Sequence, residues 1–153
     1  MLCNDPKTFR EDMLKGYAAA YPEYVMEVPG GVARATLLPK SKIAVINGGG
    51  SGHFPAFCGI IGAGFMDATV VGDVFASPSA ENVYDVAKAV ENGSGVFILG
   101  GNYTGDKMNF DLARDRLTSE GIDARSFYVT DDIASASKSD MEKRRGNVGT
   151  FTV

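Results

Sequence analysis

Two rhythms of apolar and polar positions run along this chain. Val83, Val86, Ala87 and Val90 recur at i, i+3, i+4 and i+7, the spacing of a helix with one buried stripe. Ser77-Pro78 reads as the start of that helix, with the serine as cap, and Asn92-Gly93-Ser94-Gly95 stops it. Phe110, Ala113 and Leu117 repeat the spacing and predict a helix over 109–120, with Gly121 as its stop. Near the N-terminus Phe9, Met13, Leu14 and Tyr17 share a face of a helix that opens at Asp5-Pro6 and ends at Tyr21-Pro22. The second rhythm is short unbroken apolar runs of the kind found in buried strands, at 42–47, 68–71, 96–99 and 126–130. Between Pro22 and Pro39, punctuated by Pro29-Gly30-Gly31, the pattern predicts less regular structure. Over 51–64 a short helix near His53-Phe54-Pro55 competes with Gly59, Gly62 and Gly64. Gly149 to Val153 reads as a further strand in which the chain breaks off, the mark of a piece of a longer protein.

Strands alternating with helices over short connections predict an α/β fold, a mostly parallel sheet with helices on both faces, and a single domain over 1–153. A hydrophobic share of 44% is enough for a core. The net charge of −4 argues against a nucleic-acid surface. The cluster from Lys138 to Arg145 is broken by Asp140 and Glu142 and reads as a solvated loop. Cys3 and Cys58 make no disulfide framework and read as bystanders in a reducing compartment. One histidine and two distant cysteines assemble no structural zinc site, and no metal ligand is assigned. Polar residues interrupt any signal peptide, and Asp67 and Asp73 interrupt the most apolar window, so no membrane partner is expected.

Chemistry gathers in two glycine-rich loops, each after a strand-like run. The first is Gly48-Gly49-Gly50-Ser51-Gly52-His53 and the second Gly101-Asn102-Tyr103-Thr104-Gly105-Asp106. In an open α/β sheet such loops face one crevice beyond the strands' carboxyl ends. Neither is a standard nucleotide loop: His53 occupies the third glycine position of G-x-G-x-x-G, and no Gly-Lys-Ser/Thr occurs. The triple glycine presents backbone N–H groups to a small, oxygen-rich ligand, or else makes a bare tight turn. A lone histidine is more often structural, and a turn aspartate is more often a cap. Four glycines in the six residues ending at His53, and the density of polar groups around Asp106, favour a site.

Gly48-Gly-Gly-Ser-Gly-His53-x-Pro55, Phe75-x-Ser77-Pro78, Asn102-Tyr-Thr-Gly-Asp106-x-x-Asn109-Phe110 and Arg144-Arg145-Gly146 occur here in order. Together they resemble the substrate-binding K domain of dihydroxyacetone kinases, from about Val45 to Val153. The resemblance implies the N-terminal half of a two-lobed K domain that binds dihydroxyacetone or a related short ketose for phosphorylation of a primary hydroxyl. It implies a cytoplasmic homodimer. ATP with Mg²⁺, or a phosphorylated partner, would be supplied by a separate nucleotide-binding L domain or subunit, with no cofactor held by this chain itself. By the same resemblance His53 and Asp106 are catalytic, the aspartate as general base. Gly49, Gly50, Ser51, Gly52, Ser77, Gly101 and Asn102 would bind substrate. The family's second histidine, which captures the ketose carbonyl, has no counterpart in this chain.

Two departures stand out. Gly101 replaces the family's usual lysine, and Phe54 replaces its usual glutamate. Gly-Asn-Tyr resembles the tetrulose kinases of the superfamily, which implies a four-carbon ketose such as erythrulose. A non-catalytic K-like paralogue that binds a ketose and regulates a partner is the alternative.

Overall fold

The computed structural model describes residues 4–152. In chain order the elements are α1 (Phe9–Ala20), β1 (Val25–Val28), β2 (Gly31–Arg34), β3 (Ala44–Gly50), β4 (Ala68–Gly72), α2 (Ala80–Val90), β5 (Val96–Gly101), α3 (Thr104–Ser119), β6 (Ala124–Val129) and α4 (Gly149–Thr152). One sheet takes all the strands in the order β1-β2-β4-β3-β5-β6. β4, β3, β5 and β6 run parallel, with Ile46 opposite both Ala68 and Ile98. β1 and β2 form an antiparallel hairpin that adds to β4. The expected α/β class with a mostly parallel sheet is the fold observed.

The sheet is covered on both faces, as its near-continuous apolar strands require. The α2 stripe of Val83, Val86, Ala87 and Val90 and the α3 stripe of Phe110, Ala113 and Leu117 pack on Ile46, Val70 and Ile98. On the opposite face Leu14 of α1, with Cys58, Ile61 and Met66 from the β3–β4 connection, covers Val32, Val71, Leu99 and Val129. Buried apolar area of this kind is the main stabilising contribution, about 25 cal/mol per Å² removed from water. Burial also pushes the Cys58 thiol up to about 12, which leaves it an inert core residue. Cys3 lies outside the described residues.

Among the described residues Asp67 is the one fully buried carboxylate. It meets Arg34 at 2.9 Å and Lys42, and it accepts the Val45 N–H at 2.8 Å. Three segments that precede and form the central strands are thereby tied at one point.

Several boundaries differ from the sequence expectation. The 22–39 stretch holds β1 and β2, whose four-residue strands are too short to show a period. The cap of α2 is Ser79, which accepts the Asn82 N–H at 3.1 Å, so Ser77 is free for another role. α1 starts at Phe9, and Asp5 closes a turn before it by accepting the Lys7 N–H at 2.9 Å. α3 starts at Thr104, because the glycine and asparagine signals of 101–105 mark the loop-to-helix junction and not a loop. Residues 51–64 contain two single turns of tighter helix, Ser51–His53 and Cys58–Ile60.

The expected strand from Gly149 is instead the helical turn α4, and Val153 lies outside the described residues. The β-branched threonines suggested extension. Hydrogen bonds from a distant part of the chain outweigh that preference: Asp131 accepts the N–H of Asn147 at 2.6 Å and of Gly149 at 2.7 Å.

Candidate functional site

The chain passes from β3 to β4 on one side of the sheet, then crosses back to β5 on the other. At such a switch point the loops beyond the carboxyl ends diverge and leave a crevice. Here that crevice is a cavity of about 450 Å³. Its floor is Gly48, Gly49 and Gly50 at the end of β3, with Gly101 at the end of β5. Phe75, Ala76 and Ser77 after β4, and Tyr103, Gly105 and Asp106 at the start of α3, form the sides. The 146–151 segment supplies Gly146, Asn147, Thr150 and Phe151.

Close approach requires glycine at several of the lining positions, Gly49 and Gly146 among them. A Cβ on Gly49 would lie 2.5 Å from the Phe57 ring, and one on Gly146 would lie 2.5 Å from the Gly101 Cα. Gly49 therefore lets Phe57 back the cavity, and Gly146 lets the last segment press against the end of β5.

Asp106 sits in the first turn of α3, where a carboxylate is favoured by the helix dipole. Burial pushes its carboxyl above the usual aspartate value. The Ser77 hydroxyl and the nearby His53 act in the opposite direction. The Ser77 hydroxyl can rotate between Asp106 and the Pro78 carbonyl 3.2 Å away, while it accepts from Asn109 Nδ2 at 3.2 Å. His53 stands edge-on to Phe57, their ring centroids 5.8 Å apart. The arrangement is a half-buried base beside an imidazole and a hydroxyl, under an aromatic wall. It can take a proton from a small hydroxylated ligand.

The structure brings Gly49, Gly50, His53, Ser77, Gly101 and Asp106 to this cavity. Ser51, Gly52 and Asn102 are placed off its wall. The Ser51 hydroxyl is buried without a partner among the described residues. A Cβ on Gly52 would meet the Phe75 ring at 3.1 Å. Asn102 Nδ2 donates to the carbonyls of Glu142 at 3.0 Å and Arg144 at 2.8 Å, so it holds the loop that leads to Gly146. Sequence reasoning missed the aromatic wall of Phe57, Phe75, Tyr103 and Phe151, because nothing in an apolar residue's neighbours marks it as lining a cavity. It also missed Asn147 and Thr150, although Arg144-Arg145-Gly146 pointed to that stretch.

Phe75 is unusual in its backbone. Its φ of 54° is left-handed, a conformation that bulky residues avoid. The residue is 85% exposed and lines the cavity.

The fold is an α/β domain with a crevice at the sheet's switch point that holds Asp106, His53 and Ser77. The Dak1 domain family matches residues 15–153, and the chain belongs to that family. A D-erythrulose kinase of Mycolicibacterium smegmatis is 56% identical over 152 residues, covering 99% of this chain and 26% of its own length. The dihydroxyacetone-binding subunit DhaK of a PTS-dependent dihydroxyacetone kinase from Lactococcus lactis is 38% identical, covering 99% of this chain and 46% of its own. The crystal structure of the C. freundii dihydroxyacetone kinase in complex with AMP-PNP and Mg²⁺ superimposes with a TM-score of 0.85 at 38% identity, over 98% of this chain and 28% of that one. The chain thus spans less than half the length of these relatives. Among its described residues no helix is long and apolar enough to cross a membrane.

Proposed function

We propose that this chain is the ketose-binding part of a kinase that phosphorylates a primary hydroxyl of a short ketose. The observation that carries the reading is the half-buried Asp106 between Ser77 and His53 in a small crevice. The names of its relatives, erythrulose kinase and dihydroxyacetone-binding subunit, supply the substrate class.

In this reading the ketose lies on the Gly48–Gly50 backbone, its carbon skeleton against Phe57 and Phe151. Ser77 and His53 orient one hydroxyl, and Asp106 accepts its proton as the oxygen attacks phosphorus. Phosphoryl transfer asks the protein mainly for positioning and charge stabilisation, which suits a site without a covalent nucleophile. The donor is ATP with Mg²⁺ or a phosphorylated partner, carried by a nucleotide-binding L domain or subunit. AMP-PNP and Mg²⁺ in the C. freundii enzyme support ATP as the donor. A cytoplasmic homodimer belongs to the same reading, by resemblance to the family.

Calorimetric titration tests this directly. Dihydroxyacetone and erythrulose are expected to bind, erythrulose the tighter, and glycerol, which lacks the carbonyl, to bind more weakly. A protein that takes up neither ketose overturns the proposal.

A further inference from the structure

A second cavity, of about 530 Å³, lies on the far side of Tyr103. Three cations line it: Lys107 on α3, and Lys143 and Arg145 on the loop that leads to Gly146. The chain as a whole has 19 acidic against 15 basic residues, so this grouping runs against the overall balance. The one carboxylate in the wall, Asp111, is engaged through its Oδ1. It accepts from Arg114 at 2.5 Å, Ser126 at 3.0 Å and the Tyr128 hydroxyl at 2.8 Å. Lys143 pairs with Asp140. Lys107 and Arg145 have no acidic partner among the described residues. Each stands over a ring instead, 5.6 Å from the centroid of Tyr128 and 5.9 Å from that of Tyr103.

The ketose crevice has the opposite character. Its described lining contains no lysine and no arginine. A polyphosphate donor brings several negative charges to the reaction, and a crevice whose own carboxylate is Asp106 cannot meet them. The two cavities share Tyr103 as a wall, and Lys107 is the residue after Asp106. Cations therefore stand beside the base but outside the pocket of the neutral acceptor.

Resting on the ketose-kinase reading, we propose that the Lys107–Lys143–Arg145 cavity receives the polyphosphate end of the phosphoryl donor, whose nucleoside is held by the partner. Arginine and lysine bind phosphate oxygens through charge-assisted hydrogen bonds. The transfer balances as an in-line displacement. The ketose hydroxyl oxygen forms a bond to the terminal phosphorus, and the bond from that phosphorus to its bridging oxygen breaks. The nucleoside diphosphate leaves with the electron pair, and the hydroxyl proton passes to Asp106.

Binding, not turnover, is the decisive measurement. Inorganic triphosphate, MgATP, orthophosphate and dihydroxyacetone phosphate are each titrated into the protein by calorimetry, with ketose titrated in parallel. Triphosphate is expected to bind and to weaken with salt. Its affinity should fall by roughly tenfold or more in the Lys107→Ala/Arg145→Ala double variant, the scale of losing charge-assisted hydrogen bonds. Lys107→Arg/Arg145→Lys should retain most of it, Lys88→Ala should leave it unchanged, and ketose affinity should hold in all of them. Triphosphate that does not bind, or binds the double variant as well as the native chain, overturns the proposal. Orthophosphate or dihydroxyacetone phosphate binding as tightly as triphosphate overturns the donor assignment. A protein that takes triphosphate but no ketose sinks the ketose reading instead, so the two failures are distinguishable.

Discussion

At Asp106, the proposed role as base and the stability of the fold pull in opposite directions. Burial raises its carboxyl more than Ser77 and His53 lower it. A carboxyl raised on folding favours the folded state while protonated, and that contribution is lost as the pH rises through the folded value. At neutral pH the ionised base is therefore a small burden on the fold. Asp106→Asn is expected to melt no lower than the native chain near neutral pH, while turnover in the complete kinase reaction falls by roughly 10²–10⁴. Ketose affinity should change much less. On the acid side the native rate should decline at a pH above the ordinary aspartate value, because the base is protonated early. An Asp106→Asn enzyme with near-normal turnover removes Asp106 from the mechanism. Phe75 shows the same tension in its backbone. Left-handed φ on such a residue costs about 1–3 kcal/mol, and so exposed a residue returns little by burial. Phe75→Gly is expected to raise the denaturation midpoint and to weaken ketose binding, since the residue lines the cavity; lower stability in that variant would refute the strain account. A Cβ on Gly101 would lie 3.1 Å from the Tyr103 ring. Gly101→Lys must turn that ring aside, and it should shift the preference from erythrulose towards dihydroxyacetone in competitive titrations.

Elements in this fold are held in place by a few polar ties across an apolar sheet. Asp67 joins Arg34 on β2, Lys42 before β3 and the Val45 backbone, and its side chain is fully buried. Removing one member of a buried pair leaves its partner's charge uncompensated, a loss of about 3–5 kcal/mol, moderated here because Lys42 reaches solvent. Urea unfolding of Asp67→Ala should show a midpoint lowered accordingly, and a midpoint within error of the native chain would show that the tie is dispensable. Nothing in the sequence separates this aspartate from a surface one. It appears only as a charge that breaks an apolar window, because its partners lie 33 and 25 residues away. The elements that were legible are those whose own period carries the signal, such as the α2 and α3 stripes and the apolar runs of β3, β4, β5 and β6. Those that were not, the β1–β2 hairpin and α4, depend on pairing with β4 or on the Asp131 carboxylate. The site follows the same division. His53 and Asp106 were singled out as polar residues set among glycines and Ser77 only through the family resemblance, whereas the aromatic wall exists only once the sheet brings Phe57, Phe75 and Phe151 together.

Taken as a whole, the molecule is charged unevenly, and the unevenness bears on how it works. The crevice around Asp106 is lined by backbone, aromatic rings and polar side chains without a lysine or arginine, and the cations stand on the other side of Tyr103. Such a division suits a reaction whose two substrates are presented by different bodies. The chain has no G-x-x-x-x-G-K-[ST] loop, and G-x-G-x-x-G is broken at His53, so neither standard route for gripping a nucleotide is present. Cations that meet only phosphates would contribute affinity without fixing a nucleoside. The expectation for the chain by itself is therefore binding without transfer. Mixed with ATP, Mg²⁺ and erythrulose or dihydroxyacetone, it should yield no ketose phosphate by phosphorus NMR, while the heat of ketose binding persists. Ketose phosphate formed by the chain alone, at a rate that falls in Asp106→Asn and so cannot come from a contaminating kinase, would show that the donor site is complete on this side of the partnership.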